Sequence, residues 1–163
     1  MSALAEINLG AETVILRPAR RADVPALIEL IAADQLGATR DGVRDQADLD
    51  AYEAAFEAIS DDPAHLLLVA EKAGEVVGTM QLSFLPGLAR RGALRAQIEA
   101  VRVAASARGS GLGAAMMTWA IGESRRRGCA LVQLTSDKSR TEAHRFYQRL
   151  GFVASHEGMK LSL

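Results

Sequence analysis

Apolar residues recur along the chain at two spacings, one typical of helices and the other typical of strands. Helical spacing predicts four helices, at residues 24–31, 49–59, 114–127 and 141–150. Continuous or alternating apolar runs predict five strands, at residues 14–16, 66–70, 76–85, 96–103 and 131–135. The turn residues Ala73 and Gly74 predict a hairpin, so the three strands between residues 66 and 103 are expected to be antiparallel. Residues 151–163 are expected to form a closing hairpin.

The composition fits a single domain over residues 1–163, with 49% hydrophobic and 24% charged residues. The formal charge of −1 gives no overall attraction to nucleic acid or to an anionic membrane, so neither is expected as a partner. No apolar run approaches the roughly 20 residues of a spanning helix. The single Cys129 cannot form an intramolecular disulfide, and no basic segment precedes an apolar one at the N-terminus. We therefore expect a cytoplasmic protein.

A glycine-rich turn separates the predicted strand 96–103 from the helix that follows it. Residues 108–113 read Arg-Gly-Ser-Gly-Leu-Gly. Such a turn binds phosphate because the first amides of a helix are unpaired and its dipole favours negative charge. Arg108 would add a permanent positive charge. The alternative is a tight connection that binds no ligand.

Two nucleotide-binding motifs compete for this turn. A P-loop is disfavoured because no Gly-Lys-Ser or Gly-Lys-Thr closes the segment. A dinucleotide motif is a minor alternative, since Gly109, Gly111 and Ala114 fit G-x-G-x-x-A and Asp137 follows the next strand. However, the glycines come well after the strand end at Val103, and antiparallel strands precede them.

Two blocks of sequence, about 30 residues apart, carry a family resemblance. The first leads into the glycine-rich turn and comprises Ile98, Glu99, Val101, Val103 and residues 108–113. The second, residues 143–152, reads Ala-His-Arg-Phe-Tyr-Gln-Arg-Leu-Gly-Phe. Together they resemble the GNAT superfamily of acetyl-CoA-dependent acyltransferases. The resemblance implies an α/β (α+β) fold with a mixed, mostly antiparallel sheet of about seven strands, splayed in the middle and flanked by about four helices.

The resemblance also implies acetyl-CoA as cosubstrate, lying in an opening between the strands 96–103 and 131–135. Its pantetheine would pair with the backbone of Val101 and Val103. Its pyrophosphate would contact the glycine-rich turn, formed by Arg108, Gly109, Ser110, Gly111, Leu112, Gly113 and Ala114. The family often has an asparagine seven residues before the tyrosine of the second block. Arg140 stands there in this chain and is a candidate for contact with a coenzyme phosphate.

Candidate catalytic groups follow from the chemistry of acetyl transfer, which needs a base for the amine and an acid for the leaving thiolate. Tyr147 matches the family's proton donor, although its spacing also fits an ordinary core tyrosine beside Phe146. Glu99 is the candidate base; the alternatives are a solvated acid or an ion-pair partner of Arg102 or Arg95. Because Cys129 has no recognisable histidine partner and the three histidines lack metal-ligand spacing, we predict direct transfer without a metal.

Charge is unevenly distributed and bears on the acceptor. Residues 41–62 contain eight acids against Arg44 alone, whereas residues 90–127 contain eight arginines against two glutamates. The basic stretch suits an anionic coenzyme, and the acidic stretch would attract a cationic amine if it lines the acceptor side. A solvated helix face is the alternative. The expected activity is acetylation of a primary amine of a small molecule or peptide, by a homodimer as the family implies. A catalytically silent acyl-CoA-binding or partner-binding domain is the rival hypothesis.

Overall fold

The computed structural model describes residues 3–34 and 37–163, and the predicted domain 1–163 also includes four residues outside them. Within this part of the chain, one six-stranded sheet has its strands in sequence order: β1 Ala5–Leu9, β2 Glu12–Pro18, β3 His65–Lys72, β4 Glu75–Leu85, β5 Arg95–Val103 and β6 Leu131–Leu134. Neighbouring strands are antiparallel except β5 and β6, which are parallel. Four helices of nine or more residues accompany the sheet in this part of the chain: α1 Val24–Ala32, α2 Gln46–Asp61, α3 Leu112–Arg126 and α4 Thr141–Arg149. A fifth, four-residue helical segment lies at Ala89–Gly92, before β5.

Apolar side chains from both faces of the sheet form the core. On one face, Met80, Leu82 and Ile98 pack with Met116 and Met117 of α3. The other face is covered by α1 and α2, under a smaller cluster of Ala19, Leu27, Val69 and the partly buried Phe56. Burial on both faces explains why β3 and β4 are apolar over most of their length. No helix in the described residues is long and apolar enough to cross a bilayer.

A buried ion cluster fixes the start of α1 against the sheet. The Arg17 guanidinium donates to both carboxylate oxygens of Asp23, at 2.7 and 2.9 Å, and to Glu71 at 2.7 Å. Asp23 also accepts the Arg20 amide at 2.6 Å. The arginine holds the pKa of the Asp23 carboxyl below its usual range. Asp23 precedes α1, as the sequence indicates, but its side chain serves this cluster and makes no capping bond to the helix.

The predicted fold class is confirmed, with three differences in its elements. Strand β1 was not predicted, although Ala5, Ile7 and Leu9 alternate with polar residues and the burial alternates with them. Helix α3 begins at Leu112, before the predicted start. The closing hairpin is wrong: residues 151–163 contain no strand. Without its two strands and with β1 added, the sheet has six strands rather than seven. Apolar residues of this tail stay exposed, so its extended pattern has no partner surface to bury it: Val153, Met159, Leu161 and Leu163.

Replacing Asp23 with alanine should lower the free energy of unfolding by about 3 kcal/mol, because it leaves the buried Arg17 charge without its main partner. Urea denaturation measures this loss. The matched control, Glu53→Ala, removes an exposed partner of Arg21 and should cost at most about 1 kcal/mol.

The loss of stability in Asp23→Ala, relative to wild type, should depend on pH. Because folding lowers the pKa of Asp23, its stabilisation is present above the unfolded value of about 4 and is lost as the pH falls through the lower folded value. The gap between wild type and Asp23→Ala should therefore narrow in acid. Equal losses of stability in Asp23→Ala and Glu53→Ala would contradict the role of Asp23 as the main partner of Arg17. So would a difference between wild type and Asp23→Ala that does not change with pH.

Candidate active site

An opening in the sheet lies between β5 and β6. Their parallel pairing runs only from Arg95 opposite Leu131 to Ile98 opposite Leu134, while β5 continues along β4 to Val103. At Ala100 the backbone is left-handed, with φ 52°, and the register with β4 shifts at this point. Such a bulge bends its strand. Residues 99–103 therefore extend past the end of β6, and the splay lies where the resemblance placed it.

Val101 and Val103 present their backbone at this opening. The Val101 carbonyl accepts a hydrogen bond from Arg102 Nη1 at 2.9 Å, and the Val103 carbonyl accepts one from Arg108 Nε at 3.4 Å. The side chains of both valines pack against the main core. Their backbone pairing with pantetheine stays a prediction, and the strand end is placed to provide it.

The glycine-rich turn is held in shape by its own residues. Gly109 and Gly111 have φ of 76° and 88°, a region that side chains disfavour. The Ser110 hydroxyl donates to the Ala107 carbonyl at 2.7 Å and accepts from the Leu112 amide at 3.3 Å. Because α3 starts at Leu112, the amides of its first turn have no acceptor within the helix. This leaves a surface of backbone donors suited to an anion.

Helix α4 meets the turn and β5 at Gly113. A Cβ placed on Gly113 would lie 3.7 Å from both Phe146 Cζ and Val103 Cγ2. A larger side chain there would push α4 away from the strand end. The glycine-rich turn, the strand end and α4 are thus packed together on one side of the opening.

Tyr147 lies on α4, partly buried against the core. Its ring packs edge-on against Phe146 and Phe152, with centroids 5.2 and 5.9 Å apart. Burial raises the pKa of the Tyr147 phenol, and the charges of Arg140 and Arg102 oppose that shift. The phenol is therefore protonated at neutral pH and can donate a proton. The packing alone is also that of a core tyrosine, so geometry by itself leaves its catalytic role a prediction.

Glu99 is exposed, one residue past the last β5–β6 pair and opposite Gln81 of β4. Arg102, one of the partners considered for it, instead pairs with Asp34, with Nη2 and Oδ2 3.2 Å apart. The Glu99 carboxylate is therefore at the mouth of the opening and accessible to a substrate. Its role as the base stays a prediction.

A charged cluster at the opening was not identified from the sequence. Asp34 follows α1, and its Oδ2 lies 3.2 Å from Arg102 Nη2 and 3.3 Å from Arg140 Nη1. It therefore links β5 to the start of α4 across the splay. No local pattern indicates this pairing, because Asp34, Arg102 and Arg140 are far apart along the chain. The predicted contact between Arg140 and a coenzyme phosphate is not tested by it.

The cysteine and the histidines, considered as a nucleophile or as metal ligands, have surroundings that do not suit these roles. Burial raises the pKa of the Cys129 thiol, so it is not an activated nucleophile. His65 bonds the Ser83 hydroxyl at 2.8 Å, and His144 bonds the Asp137 carbonyl at 2.8 Å. Across residues 3–34 and 37–163, no group of three or more His, Cys, Asp or Glu residues is placed to hold a metal ion.

Comparison with known proteins agrees with this geometry. The chain matches the Acetyltransferase (GNAT) family over residues 27–152, and it belongs to that family. It is 32% identical over 114 residues to the aminoalkylphosphonate N-acetyltransferase of Salmonella typhimurium, covering 70% of this chain and 73% of that protein. It is 38% identical over 90 residues to the glucosamine 6-phosphate N-acetyltransferase of Trypanosoma brucei brucei, covering 55% and 59%.

Solved structures share the whole fold. A protein from Bacillus halodurans C-125, described as a transcriptional regulator, is 41% identical with a TM-score of 0.87, and the match covers 92% of this chain and 99% of that one. The chain is thus an acetyltransferase. The dinucleotide alternative is excluded, because only β5 and β6 are parallel in the described sheet and a dinucleotide fold needs a mostly parallel one.

Replacing Gly111 with valine should weaken acetyl-CoA binding more than about tenfold, since a β-branched residue at φ 88° must displace the turn and its amides. Isothermal titration measures the Kd. The matched control is Gly128→Val, which puts the same strain at φ 77° beyond the other end of α3 and should lower stability without changing the Kd. An unchanged Kd in Gly111→Val would remove the glycine-rich turn from the coenzyme site.

Proposed function

We propose that the protein transfers the acetyl group of acetyl-CoA directly to a primary amine of a small molecule. The observation that carries this proposal is the opening between β5 and β6, which brings together a donor-lined turn, a strand end that extends past its parallel neighbour and a protonated tyrosine. N-acetylation is the activity of both curated relatives. Coenzyme binding, the catalytic roles and the acceptor go beyond what those relatives establish.

The residues around the opening fit acetyl-CoA. Its pyrophosphate is a multiply charged anion, which suits the amides at the start of α3 and the exposed guanidinium of Arg108. Its pantetheine carries amide groups that can pair with the strand backbone at Val101 and Val103. The left-handed glycines let the phosphates approach the backbone closely. Acetyl-CoA supplies the thioester, whose carbonyl carbon is the electrophile.

The proposed reaction removes two protons from the nitrogen and adds one to the sulfur. Glu99 accepts the first proton from the ammonium, directly or through water, and the neutral amine attacks the thioester carbonyl. The negative charge on the tetrahedral oxygen is stabilised by a backbone amide near Val101. The carbon–sulfur bond then breaks, and Tyr147 donates a proton to the departing thiolate. The second proton of the nitrogen passes through water to the Tyr147 phenolate, which restores the phenol. The products are an N-acetylated amine and free CoA, and the proton held by Glu99 is released to solvent.

The acceptor is best supported as a small molecule. The names of both curated relatives describe an amine joined to a phosphonate or phosphate group. A cationic acceptor, expected from the acidic stretch 41–62, stays a prediction, but ion pairs reduce the charge available to it. Arg21 pairs with Glu53 and Glu57, and Arg44 pairs with Asp48. Homodimerisation and a cytoplasmic location also stay predictions.

The variant Tyr147→Phe should lower kcat by roughly 100-fold or more, because it removes the proton donor and keeps the ring packing. Thiol release from acetyl-CoA measures the rate once an acceptor is found. The Kd for acetyl-CoA should change little, which separates a chemical defect from a binding defect. Because burial raises the pKa of the phenol above its usual 10, loss of activity through its ionisation should begin only above that pH. An unchanged kcat would refute the role of Tyr147 as acid.

Replacing Glu99 with glutamine should lower kcat/KM roughly tenfold or more, because the amide cannot accept the proton of the ammonium. Thiol release at a fixed pH measures the loss. The matched control is Glu142→Gln, which changes an exposed acid on α4 that pairs with Arg145. If both variants keep the kcat/KM of wild type, Glu99 is only a solvated acid.

A further inference from the structure

The cluster around Asp34 carries more positive than negative charge. Arg102 and Arg140 share a single carboxylate oxygen of Asp34, at 3.2 and 3.3 Å. Arg40, close enough to lower the pKa of Arg102 by repulsion, pairs with Asp41 at 3.1 Å. Three guanidiniums therefore face two carboxylates, so the cluster can accept a further anion.

Arg102 shows that this charge is poorly compensated. Burial lowers the pKa of Arg102, and Arg140 and Arg40 add to that shift against the opposing effects of Asp34 and Asp41. Its side chain is only 14% exposed. Nη1 donates to the Val101 carbonyl and Nη2 faces Asp34, whereas Nε is buried without a hydrogen-bond acceptor among the described residues. A buried guanidinium with an unsatisfied donor is costly unless a ligand supplies the acceptor.

Arg140 provides the accessible half of the cluster. Its side chain is 39% exposed, and only Nη1 faces Asp34. A guanidinium has five N–H donors in a planar fork, so both arginines keep donors for a ligand oxygen. The Asp34 carboxylate holds the two forks side by side. This arrangement matches a tetrahedral phosphorus group, which offers several acceptor oxygens within a small volume.

The cluster lies beside the reacting groups and next to a pocket. Arg102 follows the bulge of β5, and the charges of Arg102 and Arg140 both reach the Tyr147 phenol. Arg40 lines a surface pocket of about 300 Å³ together with Gly42, Arg44, Asp48, Ala51, Tyr52 and Ala55. Arg140 also stands at the start of α4, the helix that carries Tyr147, so an acceptor held by the arginines would lie on the side of the opening where the phenol is.

We propose that Arg102 and Arg140, with Arg40 at the edge of the pocket, bind the phosphonate or phosphate group of the acceptor. This inference rests on the proposed N-acetyltransferase function and names its substrate class: a small primary amine that carries a phosphorus oxyanion. Asp34 positions the two guanidiniums. Arg140 then binds the acceptor and not the coenzyme, which its place seven residues before Tyr147 had implied.

The first test compares acceptors that differ in a phosphorus group. Thiol release is measured with glucosamine 6-phosphate against glucosamine, and with 2-aminoethylphosphonate against ethanolamine. Putrescine represents acceptors that carry a second positive charge in place of the phosphorus group. The wild type should prefer at least one phosphorus acceptor over its partner by roughly 100-fold in kcat/KM. The pairs also separate a phosphate from a phosphonate specificity. Equal rates within both pairs, or a preference for putrescine, would overturn the inference and leave N-acetylation standing.

Variants locate the effect. Arg140→Met should reduce the preference about tenfold or more, because it should raise KM for the phosphorus acceptor more than KM for the matched amine without phosphorus, and the Kd for acetyl-CoA should stay the same. Arg140→Lys should recover part of the loss, because it keeps the charge without the fork. Arg145→Met, an exposed arginine of the same helix, is the matched control and should behave as wild type. A raised Kd for acetyl-CoA in Arg140→Met would return Arg140 to the coenzyme.

A binding measurement independent of turnover completes the test. Methylphosphonate gives a phosphorus NMR signal resolved from those of CoA, and it should broaden with wild type in the presence of CoA but not with Arg140→Met. Absence of broadening in the wild type would overturn the inference even if no acceptor is turned over. Failure of acetyl-CoA to bind in isothermal titration would instead refute the proposed function. The two failures are therefore distinguishable.

Discussion

The bulge at Ala100 is the constraint on which the site depends. Ala96 and Ile98 are buried in the main core, and Val101 and Val103 pack against the same core, although strict alternation would put residues 100 and 102 there. One extra residue in β5, accommodated by the left-handed conformation of Ala100, changes which residues face inward. Without it, the Arg102 side chain would point into the apolar core. The bulge also bends β5 where its pairing with β6 ends, so the same feature opens the cleft and orients the charged residue beside it.

Ion pairs between nearby residues determine how much charge is left around this cleft. The counts of charged residues in the stretches 41–62 and 90–127 therefore overstate both the negative and the positive charge. Arg126 and Arg127 belong to the basic stretch but pair with Glu123 on α3, and Arg127 lies over the Phe84 ring at 4.1 Å. They contribute to the surface of the helix and its packing. Several acids of the stretch 41–62 are likewise paired with arginines. The uncompensated charge lies instead in the cluster of Arg40, Arg102 and Arg140, which spans three separate parts of the chain.

Most of the fold was predictable because its elements have strong local patterns. The helices and the meander of β3, β4 and β5 follow from apolar spacing, and the glycine-rich turn follows from glycines whose φ angles are positive. The prediction of a closing hairpin was wrong because alternating apolar residues in Met159–Leu163 show only that a strand is permitted. A strand forms only where another strand edge and an apolar surface are available to it. The Asp34 cluster was not predictable either, since it depends on three backbone segments meeting at the splay.

The bulge was indicated by the sequence, although a single strand predicted over residues 96–103 does not include it. The apolar positions of β5 are even-numbered up to Ile98 and odd-numbered from Val101, and a strand that keeps one buried face can change parity only by inserting a residue. The left-handed backbone at Ala100 costs about 1–2 kcal/mol, because alanine lacks the freedom of glycine. The burial of two valines on one side of the strand offsets that cost, and on the other side Arg102 comes within reach of Asp34. A change from even-numbered to odd-numbered apolar positions in a strand thus identifies the position of a bulge. It also identifies which charged residue lies on the face opposite the core, here Arg102 at the cleft.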